Sequence, residues 1–538
     1  MKPLARFGLA AVAATMLTGT ALADDVTIAI RSEPSSMDPY FHNLGPNNAM
    51  LGQIFGRLVE WSPDMNTMIP RLATSWKAID DTTWEFKLRE GVKFHDGSDF
   101  TADDVLFSFK RADGYTGGNS SFRTYTKGKS VEKIDDYTIH IKTAAPYPLM
   151  PNDMTTLMIM PSDVKGSGGE ANFGIKAKDF NKGDVTFGTG PYKFVRWKKG
   201  DEIVLEKYDG YKGPMGQPWD KITFKIIKSD PARTAALLAG DVDMIDNVPT
   251  TDIATLEGNP NVSLSKGVSN RVIYLHMDQF RDASPFVTDV NGEPMDKNPL
   301  RDARVRKAIS MMIDRDEIVA KVMEGVAIKA GQLLPEGFFG RSSKLEADAY
   351  DPEGAKKLLA EAGFPNGFGL TIHGPNDRYI NDAKICEAIA QMLTRNGIPT
   401  KVSTMPKNVY FKRASRGGKD KQPEFSFILV GWGSGTGEPS SPLKSLLATH
   451  DKSKGQGASN RGRHSDPAFD TLLVEALSTV DDAKRADLLA KATELGIGQN
   501  QGIIPLHYQV NTWATRKGLK YNARADERTV GLDLVKAN

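Results

Sequence analysis

The chain has 538 residues with 69 Lys and Arg against 67 Asp and Glu, a formal charge of +2 at pH 7. Such a balance gives no electrostatic footprint for nucleic acid or for an anionic membrane surface. Its single cysteine, Cys386, excludes a disulfide framework within the chain.

In chain order, Lys2 and Arg6 precede an apolar run from Phe7 to Leu22, and Ala21-Leu22-Ala23 is a small-residue cleavage site. Residues 1–23 therefore predict a secretory signal peptide, too short for a membrane span, with the mature chain starting at Asp24. Its loss removes two positive charges and leaves a neutral protein. No cysteine follows the cleavage site to carry a lipid, so a soluble periplasmic protein is expected. A mature chain of this length exceeds one core, since single cores stop growing at about 250–300 residues.

The segment Pro70–Arg111 is the most patterned. Trp84, Phe86 and Leu88 alternate with Glu85, Lys87 and Arg89, which predicts a strand with one buried face. Val92 and Phe94 resume that face after a Glu90-Gly91 turn, and His95–Ser98 makes a second turn. Thr101 with Asp104 predicts a capping box for a helix burying Val105, Leu106 and Phe109. The acidic pairs Asp80-Asp81 and Asp103-Asp104 read as a turn and a helix start.

Further on, Leu149, Met150, Met154, Leu157, Met158 and Met160 form a proline-broken stretch that reads as core, or as an adaptable binding wall. Asp230-Pro231 predicts a helix start with Gly240 as its stop, ahead of a strand at Val242–Ile245. Asp314 with Glu317, Asp351-Pro352 with Gly363, and Asp382–Asn396 before Gly397 predict three more helices. Cys386 falls in the apolar stripe of the last, as a buried, inert thiol. Lys165–Gly169, Gly417–Gln422 and His450–Arg463 read as surface loops.

No G-x-S-x-G elbow, H-E-x-x-H or Walker A pattern occurs. The Gly128-Lys129-Ser130 lookalike has Arg123 where the first glycine belongs. The eight histidines lack metal-ligand spacing, and His95 and His464 read as turn or surface imidazoles. No enzyme, cofactor or metal site is expected.

The order LATSW, DD, TWEFKLREGVKFHDG, FTADDVLFSFKR resembles the signature of the extracytoplasmic solute-binding proteins that serve peptide, dipeptide and nickel ABC importers, bacterial solute-binding protein family 5. GTGPYKFVRWKKGDEIVLEKYDGY (188–211), RVRKAISMMIDRDEIV (304–319), LVGWGSGTGEPSSPL (429–443) and IPLHYQVNTW (504–513) extend the resemblance along the mature chain. It implies an α/β clamshell of two lobes joined by crossing strands, with an extra domain inserted in the N-terminal lobe. The first lobe would combine 24–56, 190–275 and 505–538, the inserted domain 57–189 and the second lobe 276–504. It also implies a monomeric receptor that hands a peptide-like solute to inner-membrane permease subunits, with the ATPase engaged only indirectly. An opine, sugar conjugate or nickel chelate as ligand, and a sensor or chaperone of the same fold, are the alternatives.

The resemblance also nominates site residues. Gly431-Trp432 matches the cleft segment, where Trp432 either stacks on ligand or packs. Peptide-binding relatives place an aspartate three residues after this tryptophan to pair with the peptide's amino terminus; here that position is Gly435. Glu438 is the next acid. Gly433, Ser434 and Thr436 would offer close backbone approach and neutral hydroxyls, and Arg378 would grip an acidic ligand end. Arg461 in the second basic cluster, with Tyr40 and Asn43 from the first lobe, completes the set.

Overall fold

The computed structural model describes residues 24–117, 122–165, 174–214 and 216–537. The signal peptide at 1–23 and all but the first residue of Lys165–Gly169 lie outside them. One twelve-stranded sheet runs through the molecule. At one end Asp25–Ile30 lies parallel to Lys221–Ile226 and Met244–Ile245, with Glu202–Lys207 and Tyr192–Lys198 added antiparallel at the edge. At the other end Gly369–Pro375 lies parallel to Thr400–Met405 and Phe427–Gly433.

Two long antiparallel strands, Val262–Met277 and Ile503–Arg516, belong to both ends. Residues 262–268 pair with 510–516 towards one end, and 272–276 pair with 503–508 towards the other; the register slips between Val268 and Val272. Three residues, 269–271, stand against the single residue 509 there, and such an excess bends and twists a strand locally, which makes this the place where the two halves of the sheet part company.

The inserted domain is a four-stranded antiparallel sheet covered by the helix Ala102–Gly114. Phe86, Phe94, Val105, Ile139 and Ile141 join Ile28, Leu205 and Ile222 of the first lobe in one continuous core. Thr101 N–H donates to Asp104 at 2.8 Å, as a capping box requires. Met150, Met154, Leu157, Met158 and Met160 are fully buried in this core, so they pack rather than line a wall.

In the second lobe, strand alternation sends Ile273, Leu275 and Leu429 to one apolar layer and Val272, Tyr274 and Val430 to the other. Helices Ala303–Met311, Pro352–Glu361 and Asp382–Arg395 cover the first. Asp314 and Asp351 cap their helices through Glu317 N and Gly354 N, each at 2.9 Å. At the 230 helix the cap is one residue earlier than the sequence suggests: Ser229 is the cap and Asp230 the first helical residue. Cys386 is fully buried, with burial pushing its thiol far up and leaving it unreactive.

His95 stands in its turn as expected, whereas His464 departs from expectation. His464 is 3 % exposed with Nδ1 on the Leu447 carbonyl at 2.8 Å, and His95 is half-buried between Gly188 and Gly190, so neither is a surface imidazole. The 450–463 loop is exposed at 452–455, as expected of a surface loop, and then turns inward, with Asn460 fully buried on the Ala448 and His464 carbonyls.

Buried histidines make the fold acid-sensitive. Burial holds His276 at about 3 and His373 and His507 at about 4, against 6.5 in an unfolded chain. Below about pH 6.5 the unfolded chain takes up protons that the native state refuses until about pH 4. Stability is therefore full above pH 6.5 and falls as pH drops through that window. Asp246, raised to about 6 by burial against the pull of Arg233, acts in the opposite sense. His95 is also held at about 4 by burial, so with each proton worth about 1.4 kcal/mol per pH unit the four imidazoles outweigh Asp246 by about 4 kcal/mol per unit. Urea midpoints from pH 7.5 to 5 should fall accordingly; a flat profile would show these imidazoles protonated in place.

Candidate functional site

The strand Phe427–Gly433 carries four buried apolar residues and then opens at Gly431, Trp432 and Gly433, all half-buried. Gly431 is required there. A Cβ would sit 2.7 Å from Ile273 Cδ1 and 2.8 Å from Tyr379 Cε1, and Tyr379 donates its hydroxyl to the Gly431 carbonyl at 3.1 Å. Gly437 has φ +68°, and a Cβ there would press into the Trp61 ring. Gly435 is different: it is exposed, with nothing within 4 Å of where a Cβ would stand.

The floor of the site is the register slip. Glu527, in left-handed backbone at φ +65°, accepts from Ser269 Oγ at 2.7 Å, Arg271 Nε at 2.9 Å and Nη2 at 2.8 Å, and Gln509 Nε2 at 3.1 Å. Burial would raise this carboxyl, but Arg271 overrides it and Arg378 adds to the pull, so Glu527 stays below the usual carboxylate range. Asn270 donates to the Ser434 carbonyl at 2.7 Å, tying the slip to the glycine loop.

Arg378 is exposed over the Tyr379 ring, 5.1 Å from its centroid, and forms no ion pair among the described residues. Its loop is fixed by Asp382, which accepts from Arg378 N and Tyr379 N at 2.9 and 3.0 Å. Arg378, Gly431, Gly433 and Trp432 thus stand around the same crossing point. Asn43 is half-buried in a chain with Tyr125 at 3.1 Å and Asn48 at 2.7 Å. Asn152 of the inserted domain donates to the Thr436 carbonyl at 2.7 Å, and Asn381 reaches Thr250 across the other side at 3.2 Å.

Three nominated residues do not face this region. Tyr40 is fully buried, its hydroxyl spent on the Met158 carbonyl and its ring beside Arg111. Arg461 is held by Ser415 at 3.2 Å and lies over Phe411. Its neighbour Gly462 sits against Met277, six residues and roughly 20 Å along the strand from Arg271. Ser434 is fully buried and donates to the Glu438 carbonyl at 2.7 Å, so its hydroxyl serves the loop.

Glu438 is no substitute for the missing aspartate. It is buried with Arg485, at 2 % and 7 % side-chain exposure, and burial raises its carboxyl against that partner's pull. Trp61 is a residue that no sequence pattern singled out. It packs, like Trp432, on the apolar layer that contains Val272 and Tyr274. Among the described residues the indole N–H groups of Trp61 and Trp432 and the Asn511 amide nitrogen have no acceptor. Tyr274 Oη and, on the loop, Glu438 Oε1 are also without a partner, but Glu438 is already ion-paired with Arg485.

No cluster of three His, Cys, Asp or Glu suited to a metal occurs among the described residues, and no helix there is long and apolar enough to cross a membrane.

A profile described as bacterial extracellular solute-binding proteins, family 5 Middle, matches residues 67–454. The chain is 31% identical over 476 residues to Heme-binding protein A of Haemophilus influenzae, covering 83% of this chain and 80% of that protein. It is 29% identical over 479 residues to Glutathione-binding protein GsiB of Pectobacterium atrosepticum, covering 88% and 86%. Among solved structures, HbpA2 from Haemophilus parasuis matches with a TM-score of 0.80 at 25% identity, over 96% of this chain and 100% of that one.

Proposed function

The chain belongs to family 5 of the bacterial extracellular solute-binding proteins, the solute receptors of ABC importers, and from that premise we propose that it closes in the periplasm on an acidic, acceptor-rich solute that needs no carboxylate partner for an amino group. The observation that carries this reading is the combination at the crossing point of an exposed, unobstructed Gly435, an unpaired Arg378 and three idle N–H donors. A buried ammonium without a counter-charge costs several kcal/mol, whereas a carboxylate meeting an arginine fork gains charge-assisted hydrogen bonds. Haem, the ligand in one relative's name, carries two carboxylates and no ammonium group.

In this reading the signal peptide is removed after Ala23 and the monomer acts without turnover. The lobes are 24–56 with 190–275 and 505–538, and 276–504, with 57–189 inserted. Closure bends the strands at the Val268/Val272 slip, and contacts such as Asn152 to Thr436 form only when the lobes meet.

The test is calorimetry on refolded protein, residues 24–538, with paired peptides and peptide-like diacids, free and N-acetylated, and with C-terminal carboxylate or amide. Acetylation should change affinity by less than threefold, while amidation should weaken it at least tenfold. Loss of binding on acetylation, with amidation harmless, would sink the ligand class and leave the receptor role intact.

A further inference from the structure

A second cavity lies away from the crossing strands, where the first lobe, the inserted domain and the C-terminal loop meet. Its walls come from residues 48–92, 189–213 and 524–532, with no residue of the second lobe. About 50 Å³ of it is open to the centre of a water-sized sphere, several times what one water needs.

The lining is strongly cationic. Arg57, Arg71, Arg89, Lys212, Arg524 and Arg528 all border it. Three carboxylates answer them. Glu60 accepts from Arg71 Nε at 2.6 Å and lies 3.8 Å from Arg57; Asp526 and Asp533 hold Arg524 at 2.7 and 2.8 Å. Arg89 and Lys212 form no ion pair among the described residues.

Arg57 has 3 % side-chain exposure, and its Nε has no acceptor. Burial, with Arg528 adding to it, lowers this guanidinium to about 10. Thr189 is 4 % exposed and its hydroxyl is also without a partner. Both positions are built for. A Cβ on Gly52 would stand 2.8 Å from Arg57 Nη1, and one on Gly56 would stand 2.3 Å from the Thr189 hydroxyl. Buried donors left without acceptors destabilise a fold, the more so when charged. Here the two residues that carry them line a space large enough to hold an acceptor.

We propose that this cavity binds a small tetrahedral oxyanion, inorganic phosphate or a phosphomonoester, independently of the solute cleft. Three net positive charges, planar arginine forks and a hydroxyl donor suit a dianion with several oxygens. Leu72, Val92 and Val530 on the same wall would cover the organic part of a monoester. Bound there, the anion would clamp the inserted domain to the first lobe and the C-terminal loop.

The experiment is calorimetric and thermal titration of the residue 24–538 protein with inorganic phosphate and, separately, phenyl phosphate, against chloride at matched ionic strength. Saturable binding of either, with a raised unfolding midpoint, is expected. Thr189→Val should leave the ligand-free protein at least as stable and weaken phosphate tenfold; Arg528→Gln should weaken it similarly. Trp432→Ala should keep phosphate affinity within twofold. Tighter binding of phenyl phosphate would place the apolar wall in the site, and equal binding would assign it to the phosphate group alone. Absence of any phosphate-specific effect, or unchanged binding in both Thr189→Val and Arg528→Gln, would overturn the proposal.

Discussion

Replacing Arg111 by Met should destabilise the protein by about 3–5 kcal/mol, the cost of leaving a buried charge without its partner. Arg111 and Asp38 are 1 % and 0 % exposed and joined by two parallel hydrogen bonds of 2.9 Å. Tyr115 donates a third bond to Asp38 at 2.9 Å, and the Tyr40, Tyr115 and Phe180 rings surround the guanidinium at 5.0–5.2 Å. The pair fastens the segment that follows the first strand to the inserted domain's helix, so its loss loosens the ground on which Asn43 and Tyr125 stand. The informative control is Asp38→Leu with Arg111→Met. Removing both charges should be markedly less damaging than Arg111→Met alone, because apolar replacements leave no orphan carboxylate. Urea melts of the three variants, followed through the first transition of a multidomain protein, decide it. A double variant as unstable as the single one would mean that packing around the rings, not the orphaned charge, sets the cost.

The same cluster shows where the sequence was legible and where it was not. The strand at Trp84–Leu88, the Thr101–Asp104 cap and the Met150–Met160 core followed from local periodicity and capping chemistry, which are written in neighbouring residues. Tyr40 illustrates the opposite case. Nothing within several residues of it announces Arg111, 71 positions later, or the Met158 carbonyl that takes its hydroxyl, so an aromatic residue in a loop read as a cleft candidate. Ser434 failed for a subtler reason: the glycines around it do make an open loop, but the hydroxyl turns inward to close that loop on Glu438. Trp61 and Glu527 carried no pattern at all. One lies in a three-residue strand and the other in a C-terminal turn, and both gain meaning only from what folds against them.

Position 435 supports the sharpest change in behaviour. Gly435→Asp should shift the cleft's preference towards free amines, at little cost in stability. The glycine has no positive φ, is exposed, and offers open space where the new Cβ would stand, so a surface-like change within about 0.5 kcal/mol is expected. In the cleft the consequence is large. A like charge facing a desolvated ligand costs several kcal/mol, and an opposite charge there gains a comparable amount. Binding of an acidic solute should weaken about 10- to 100-fold, about 1.4–2.7 kcal/mol. Free-amine peptides should gain over their N-acetylated forms by a similar factor. Gly435→Asn separates charge from bulk, since it fills the same space without the charge and should leave the selectivity between free and acetylated peptides unchanged. Should the aspartate variant show wild-type selectivity, residue 435 does not face the ligand.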